Sequence, residues 1–528
     1  MKKTFIVKAF TVVMLSGALV SCKKNLDLVP TNDITSETVY ATAAGYKQSA
    51  AKVYAAFALT GNNGPAGNGD VQGIDEGYSD FLRLFWKTQE LSTDEAVIAW
   101  GDVGIQDFHN MNWTPGNAFL KGLYYRSEYQ ITLANEFIRQ SADDMLSKRG
   151  ISGADADNIR KFRAEARFLR AFQYWVLIDA YGNVPFTTEA DLIGTIPKQG
   201  SRTQVFNYIE SELKAIEPLL SAPKANEYGR ADQGADWALL ARLYLNAQVY
   251  TGTARYTDAV TYASKVIGAG YSLFANYPGI MRADNDQNNT ENILTINYDG
   301  LRTQSFGGTT FLTHAPVGGL MPASDYGIKG GWGGARTTKA LVNLFPDANG
   351  TADKRAQFYT SGQSLEIKDQ TVFTDGYAVT KYKNVTRSGA AGKSLDYADV
   401  DFPLFRLAEM YLIYAEATLR GGSGGNTATA LGYINQIRTR AYGNASGNIA
   451  QSALTLDFIL DERGRELYWE GFRRTDLVRY GKFTEATYLW PFKGGVANGR
   501  AVESFRNIFP IPLDDLTANP NLKQNTGY

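Results

Sequence analysis

Apolar side chains recur at helical spacing through much of this chain, and no other pattern restricts its fold as strongly. Phe162, Ala166, Leu169, Phe172 and Val176 step by four, three, three and four, which lines one face of a helix. That run stops at Tyr181-Gly182-Asn183-Val184-Pro185, a glycine stop followed by proline. Val205, Tyr208, Ile209, Leu213, Ile216 and Leu219 repeat the pattern, and the stretches 39–59 and 119–145 are also helical in character. Asp236 to Tyr250 and Tyr256 to Ile267 predict a helix pair with a short link. Small residues at Ala238, Ala241, Ala259 and Ala263 would let the two helices approach closely, as tetratricopeptide-like repeats require. A second pair is expected at Leu404 to Leu419 and Ala428 to Arg440, linked by the flexible Gly421 to Gly425. Glycine-rich 61–77 is loop. Between 270 and 400 glycine is frequent and helical periodicity fades, with short β-like runs at Ile293 to Ile296 and Tyr377 to Val379. The expected fold is mainly α: tetratricopeptide-like helix pairs packed on an irregular, loop-rich region with minor β hairpins. Such loops often carry binding groups.

The first residues bear on compartment. Lys2, Lys3 and Lys8 precede an apolar run from Ala9 to Val20, which ends at Ser21-Cys22. A short apolar run with a basic start reads as a secretory signal, too short to span a bilayer. A small residue before the lone cysteine makes it the lipoprotein kind. Residues 1–21 are thus expected to be a signal peptide and Cys22 the lipidation site, leaving one domain over 22–528. With one cysteine in the whole chain, no intramolecular disulfide is possible, so stability must come from a large core. Residues 23–37 read as a polar tether.

Composition removes several classes of function. Lys and Arg number 53 against 54 Asp and Glu, so there is no basic field and nucleic acid is not an expected partner. Nucleophilic triads and most zinc sites need histidine or cysteine, and beyond Cys22 the chain has His109 and His314 alone. Both are read as hydrogen-bonded structural residues in loops. No HExxH, CxxC or phosphate-cradling glycine loop occurs; Gly389 to Ser394 places its glycines too close together. The chain is therefore not expected to be an enzyme. A glycosidase that needs two carboxyls about 5 to 9.5 Å apart remains the catalytic alternative.

Several segments resemble the SusD/RagB family of surface nutrient-binding lipoproteins. They are Glu165-Ala166-Arg167-Phe168-Leu169-Arg170-Ala171, Glu462-Arg463-Gly464-Arg465-Glu466-Leu467, and Glu470-Gly471-Phe472-Arg473-Arg474-Thr475-Asp476-Leu477-Val478-Arg479-Tyr480-Gly481. Phe509-Pro510-Ile511-Pro512-Leu513-Asp514 and Asn519-Pro520-Asn521-Leu522 follow, before the end at Gln524-Asn525-Thr526-Gly527-Tyr528. Asp75-Glu76-Gly77, Thr93-Asp94-Glu95, Gly229-Arg230-Ala231-Asp232, Ala241 to Ala247 and Tyr488-Leu489-Trp490 look closest to the family's starch-binding member. The resemblance implies an outer-membrane lipoprotein that captures a glycan, starch or a related α-glucan, and passes it to a SusC-like TonB-dependent transporter. Capture of another polysaccharide, or of peptide as in the RagB branch, is the alternative within the family.

Carried over by position, the aromatic arc that holds the glucan falls on Trp100, Phe306 and Trp332, with Ile98 where the relative has tryptophan. Arg83 falls on the residue that hydrogen-bonds sugar hydroxyls, and the relative's asparagine near the arc has no single match, Asp102 and Val103 both lying close. The physics agrees: an aromatic ring covers a pyranose's C–H face and a guanidinium fork serves adjacent hydroxyls. Trp332 sits in Gly330-Gly331-Trp332-Gly333-Gly334, whose glycines offer no side chains to bury it. Asp284, Asp286, Asn288 and Glu291 place oxygen ligands at the close spacing a calcium ion prefers. By resemblance Asp401 would share that structural ion.

Overall fold

The computed structural model describes residues 35–66, 69–75, 77 and 79–528. The proposed signal peptide and Cys22 lie outside the described residues. The helix Gly153–Ala180 is the spine, buried without interruption from Phe168 to Ala180. It packs against Ala118–Gln140, Arg202–Ile216 and Ala43–Ala55. Local chemistry starts these helices where they start. Ser201 and Gln204 form a reciprocal capping box, and Thr42 and Asp232 each accept a hydrogen bond from a backbone N–H in the first turn.

The expected helix pairs form. Gln233–Leu245 lies against Tyr256–Ile267, and Ala238, Ala241, Ala259 and Ala263 are all fully buried between neighbours. Tyr256–Ile267 also packs on Leu407–Leu419, which pairs with Thr427–Tyr442, so the two predicted pairs join into one helical run. No helix among the described residues is long and apolar enough to cross a membrane.

The β structure is minor, as expected, and part of its pairing is long-range. Ile293 to Ile296 is indeed a strand, Asn292–Ile296, but it pairs antiparallel with Phe402–Arg406, over a hundred positions away. Residues 404–406 therefore belong to a strand and not to the helix predicted from Leu404. Val97–Ile98 pairs antiparallel with Ala335–Arg336, and Ala378–Val379 with Phe358–Tyr359. The first two of these three pairs join the irregular region to segments outside it, and the third closes within it.

The segments that carry the family resemblance build an ionic core. Arg406 donates to Glu291 at 2.8 Å, Glu466 at 2.6 Å and Glu470 at 2.7 Å. Arg355 reaches Asp353 at 2.6 Å and Glu462 at 2.7 Å. Arg473 grips Asp94 at 2.7 Å, and Arg479 binds Glu416 at 2.7 Å and Asp476 at 2.8 Å. All of these side chains are buried. Burial alone would raise the pKa of Glu462, but Arg355, Arg465 and Arg438 outweigh it and hold that carboxyl down at about 2. With no disulfide available, this network and the apolar core carry the fold.

Candidate functional site

The site grows from the Val97–Ile98 and Ala335–Arg336 pair. Ile98 stands opposite Ala335, so Trp100, two residues on, and Trp332, three residues before, emerge at the same end. Ala99 N–H donates to the Gly334 carbonyl at 2.9 Å, and Trp100 Nε1 donates to the Trp332 carbonyl at 3.2 Å. The two half-buried indoles lie with ring centroids 6.3 Å apart and planes inclined at 46°. Their surface is thus bent, not flat.

The glycines around Trp332 have a more specific role than leaving it uncovered. A Cβ on Gly334 would fall 2.3 Å from the Trp100 ring, so the indole rests directly on glycine backbone. A Cβ on Gly331 would fall 2.1 Å from the Val317 carbonyl. Beneath Trp332 lies His314, with centroids 5.0 Å apart. His314 ends the helix Gly308–His314 and His109 lies in Asp107–Asn110, so neither is in the loop expected for it. Both are buried and hydrogen-bonded, as expected of structural residues. His109 Nε2 accepts from Ile98 N–H at 3.1 Å, and His314 Nδ1 lies 2.9 Å from the Thr310 carbonyl. Burial, with Arg336 nearby, lowers the His109 pKa to about 3; burial lowers that of His314, so both rings are neutral.

Arg83 sits in the first turn of Phe81–Glu90, where Asp80 caps the helix by accepting from Arg83 N–H at 2.8 Å. Its guanidinium stands over three rings, 4.9 Å from Phe311, 5.4 Å from Trp100 and 5.7 Å from Trp332. It also donates to the carbonyls of Gly77 at 3.0 Å and Phe306 at 2.9 Å. At 9% exposure it is not the open fork expected from the sequence. It is a clamp beneath the aromatic surface, holding the Phe306 segment to the indoles.

Phe306 is half-buried, and its ring lies 5.8 Å from that of Tyr397 at 43°. This second aromatic pair is joined to the first through Arg83. Tyr397 was missed in the sequence, although it lies in the polar run 386–397 and invites the same argument as Trp332. Gln106 was missed as well. Its amide donates to the carbonyls of Ile98 at 3.0 Å and Trp100 at 2.8 Å and fixes the Trp100 loop. Asp102 is exposed beside Trp100, and Val103 is 94% exposed. Ile98 must be removed from the arc: it is 0% exposed, packed in the core with its strand neighbour Val97, while Trp100 stands just past the strand's end and is half-buried.

Two members of the acidic cluster are already neutralised by arginine. Asp284 accepts from Arg387 N–H at 3.0 Å and from its Nε at 3.1 Å. Glu291 is ion-paired to Arg406 and Arg440. Asp286 and Asn288 are exposed, whereas Asp401 is 2% exposed and accepts from Tyr298 N–H at 2.7 Å. Among the described residues no three acidic, histidine or cysteine side chains converge on a point that could hold a metal.

Comparison with known proteins gives concordant results. Residues 359–528 match the SusD family model, and residues 86–245 match a model described as starch-binding and associating with the outer membrane. The chain is 36% identical, over the full length of both proteins, to the starch-binding protein SusD of Bacteroides thetaiotaomicron. It is 24% identical to the SusD-like protein P38 of Formosa agariphila, covering 98% of each. Among solved structures, the surface glycan-binding protein A of Bacteroides thetaiotaomicron in complex with laminarihexaose superposes with a TM-score of 0.69 at 21% identity, over 92% of this chain and 99% of that one. A laminarin-binding SusD-like protein gives 0.69 at 22% identity with the same coverage. These two likenesses concern the fold.

Proposed function

This chain belongs to the SusD family, and on that premise we propose that it captures a soluble α-glucan of the starch type and hands it to a SusC-like TonB-dependent transporter. It is a glycan-binding, outer-membrane-associated surface protein. The observation that supports the finer reading is the inclined Trp100–Trp332 pair, clamped from beneath by Arg83 and flanked by Phe306 and Tyr397. A bent aromatic surface meets successive sugar faces of a curved chain, whereas a flat ribbon suits a coplanar row. The indoles cover C–H faces. Asp102 and the Tyr397 hydroxyl offer polar groups at the rim, and Arg83 keeps the two platforms in register.

A second reading is a β-1,3-glucan, which is also curved. It is favoured by the loss of Ile98 from the arc, which leaves two indoles, and by the laminarin-type ligands named for two proteins of the same fold. The reading includes no catalysis, and members of the family bind carbohydrate without cleaving it. Anchoring through a lipid on Cys22 is part of the proposal. Affinity electrophoresis in gels holding starch, laminarin or no glycan, beside a peptide panel, tests the ligand class. Retardation by starch above laminarin is expected, and retardation by laminarin alone overturns the α-glucan. Reducing ends released on incubation with either polymer would overturn the non-catalytic reading.

A further inference from the structure

A second recess lies away from the aromatic arc, between the loop 224–230 and the strand Asn292–Ile296. The loop is held in an unusual path. Lys224 adopts φ +64°, and its N–H donates to Asp232 at 2.6 Å while Asp232 also caps the following helix. Gly229 presses on the Asn297 amide so closely that a Cβ there would fall 2.2 Å away. The loop therefore arches over a cavity of about 190 Å³ lined by Tyr228, Tyr271, Asn289 and Asn292. On its other side an adjoining hollow of about 300 Å³ is walled by Phe57, Phe162 and Ile296, and Tyr228 belongs to both.

The polar groups of the smaller cavity are unusual. The Tyr271 hydroxyl and the Asn289 Nδ2 are buried with no hydrogen-bond partner among the described residues, and the buried Asn292 amide faces only the Tyr228 hydroxyl. Tyr271 is 8% exposed. The Asn289 carbonyl is used, accepting from the N–H groups of Glu291 and Asn292, which leaves its NH2 end over. Buried polar atoms almost always find partners, so unsatisfied ones along a single recess mark a place where something polar binds. The set contains donors and acceptors, and the charged groups of the lining are already taken up, the Asp232 carboxylate by the N–H groups of Lys224 and Ala235. Lys224 Nζ is engaged by the Gly270 carbonyl at 2.9 Å, and Arg230 is paired with Glu165. Hydroxyl groups, which donate and accept at once, match such a set; an anion or a cation does not. The Tyr228 ring is 45% exposed at the mouth, while its hydroxyl points inward toward Asn292, Thr295 and Asp401. An exposed aromatic face beside neutral hydrogen-bonding groups is the arrangement that receives a pyranose. At about 30 Å³ per water the cavity equals roughly six waters, the scale of one sugar unit.

We propose that this recess is a second carbohydrate subsite, for a single neutral sugar unit or the end of a chain, with Tyr228 as its platform and Tyr271, Asn289 and Asn292 as its hydroxyl partners. It rests on the reading of the protein as a glycan binder but not on the role of the arc. The test is a titration of glucose and maltose, followed by ligand-detected NMR, on the double variant Trp100→Ala/Trp332→Ala. Saturable binding that survives in this variant is expected, and it should weaken at least fivefold with Tyr271→Phe or Asn292→Leu added. Tyr271→Phe deletes a single unpaired oxygen, so the fold should tolerate it, and an unchanged melting temperature would verify this. No saturable binding in the double variant would overturn the subsite and assign the recess to ordered water alone. Binding that ignores both added substitutions would overturn it equally. Failure of the arc would appear elsewhere, as α-glucan binding by the parent protein that Trp332→Ala leaves intact.

Discussion

Glu466→Gln isolates the ionic core most sharply. The Glu466 carboxylate is fully buried and lies 2.6 Å from Arg406, 2.5 Å from Arg440 and 3.3 Å from Arg355. Burial would raise its pKa, but Arg440, Arg406 and Arg355 outweigh that and hold it far below the ordinary glutamate value, so it is charged at every working pH. The substitution keeps the shape and removes the charge. Arg406 retains Glu291 and Glu470, and Arg355 retains Asp353 and Glu462, so the loss is partial for each. Breaking a buried pair on one side costs about 3–5 kcal/mol. That is a large part of the roughly 5–15 kcal/mol that separates folded from unfolded protein. Guanidinium chloride unfolding followed by tryptophan fluorescence reads the change, with Lys393→Ala as control. Lys393 is 56% exposed and pairs with Asp299 at the surface, where a pair contributes about 0–1 kcal/mol. The reasoning fails if Glu466→Gln costs no more than the control.

Gly334→Ala should push the Trp100 indole off its seat and weaken α-glucan binding about tenfold or more, with a much smaller change in melting temperature; calorimetric titration beside a melting curve checks this, and unchanged affinity would mean that the indole has another way to lie. Burial, with Asp515 nearby, raises Glu128 to about 8. The folded protein therefore holds that proton above the unfolded glutamate pKa of about 4.3, and stability due to this group falls as pH rises from there to about 8. Glu128→Gln should accordingly raise the melting temperature more at pH 8 than at pH 5, and an equal effect at both would contradict the assignment. Cys22→Ala should release the protein from the membrane fraction in cells without the transporter; full retention there would rule out the lipid anchor.

Much of the scaffold was legible because helices declare themselves locally. The four-three-three-four steps from Phe162 to Val176, the stop at Tyr181 to Pro185 and the alanines of the helix pairs each need one neighbouring turn to be understood. Trp100 and Trp332 were legible through their glycine surroundings and the family resemblance. What escaped was set by distant partners. Ile98 looks like any arc position until the strand it forms with Ala335–Arg336 is packed and the side chain lies fully buried. Arg83 reads as a surface fork until the Phe306 carbonyl, more than two hundred residues on, takes its donor. Asp284 and Glu291 have calcium-like spacing, but Arg387, Arg406 and Arg440 arrive from elsewhere in the chain to neutralise them. The charged fingerprint from Glu462 to Arg479 marked the family, yet it builds the core and stays out of the site.

The central claim is that the inclined indole pair binds a curved α-glucan. Isothermal titration of maltoheptaose into the protein and into Trp332→Ala, with laminarin-derived oligosaccharides in parallel, tests it most directly. Saturable heat with maltoheptaose, reduced about tenfold or more in affinity by the substitution, is the expected result; loss of one aromatic platform costs on the order of 1–3 kcal/mol by analogy with base stacking. Heat with the β-glucan and none with maltoheptaose would contradict the substrate, and equal affinity in the parent and in Trp332→Ala would contradict the site.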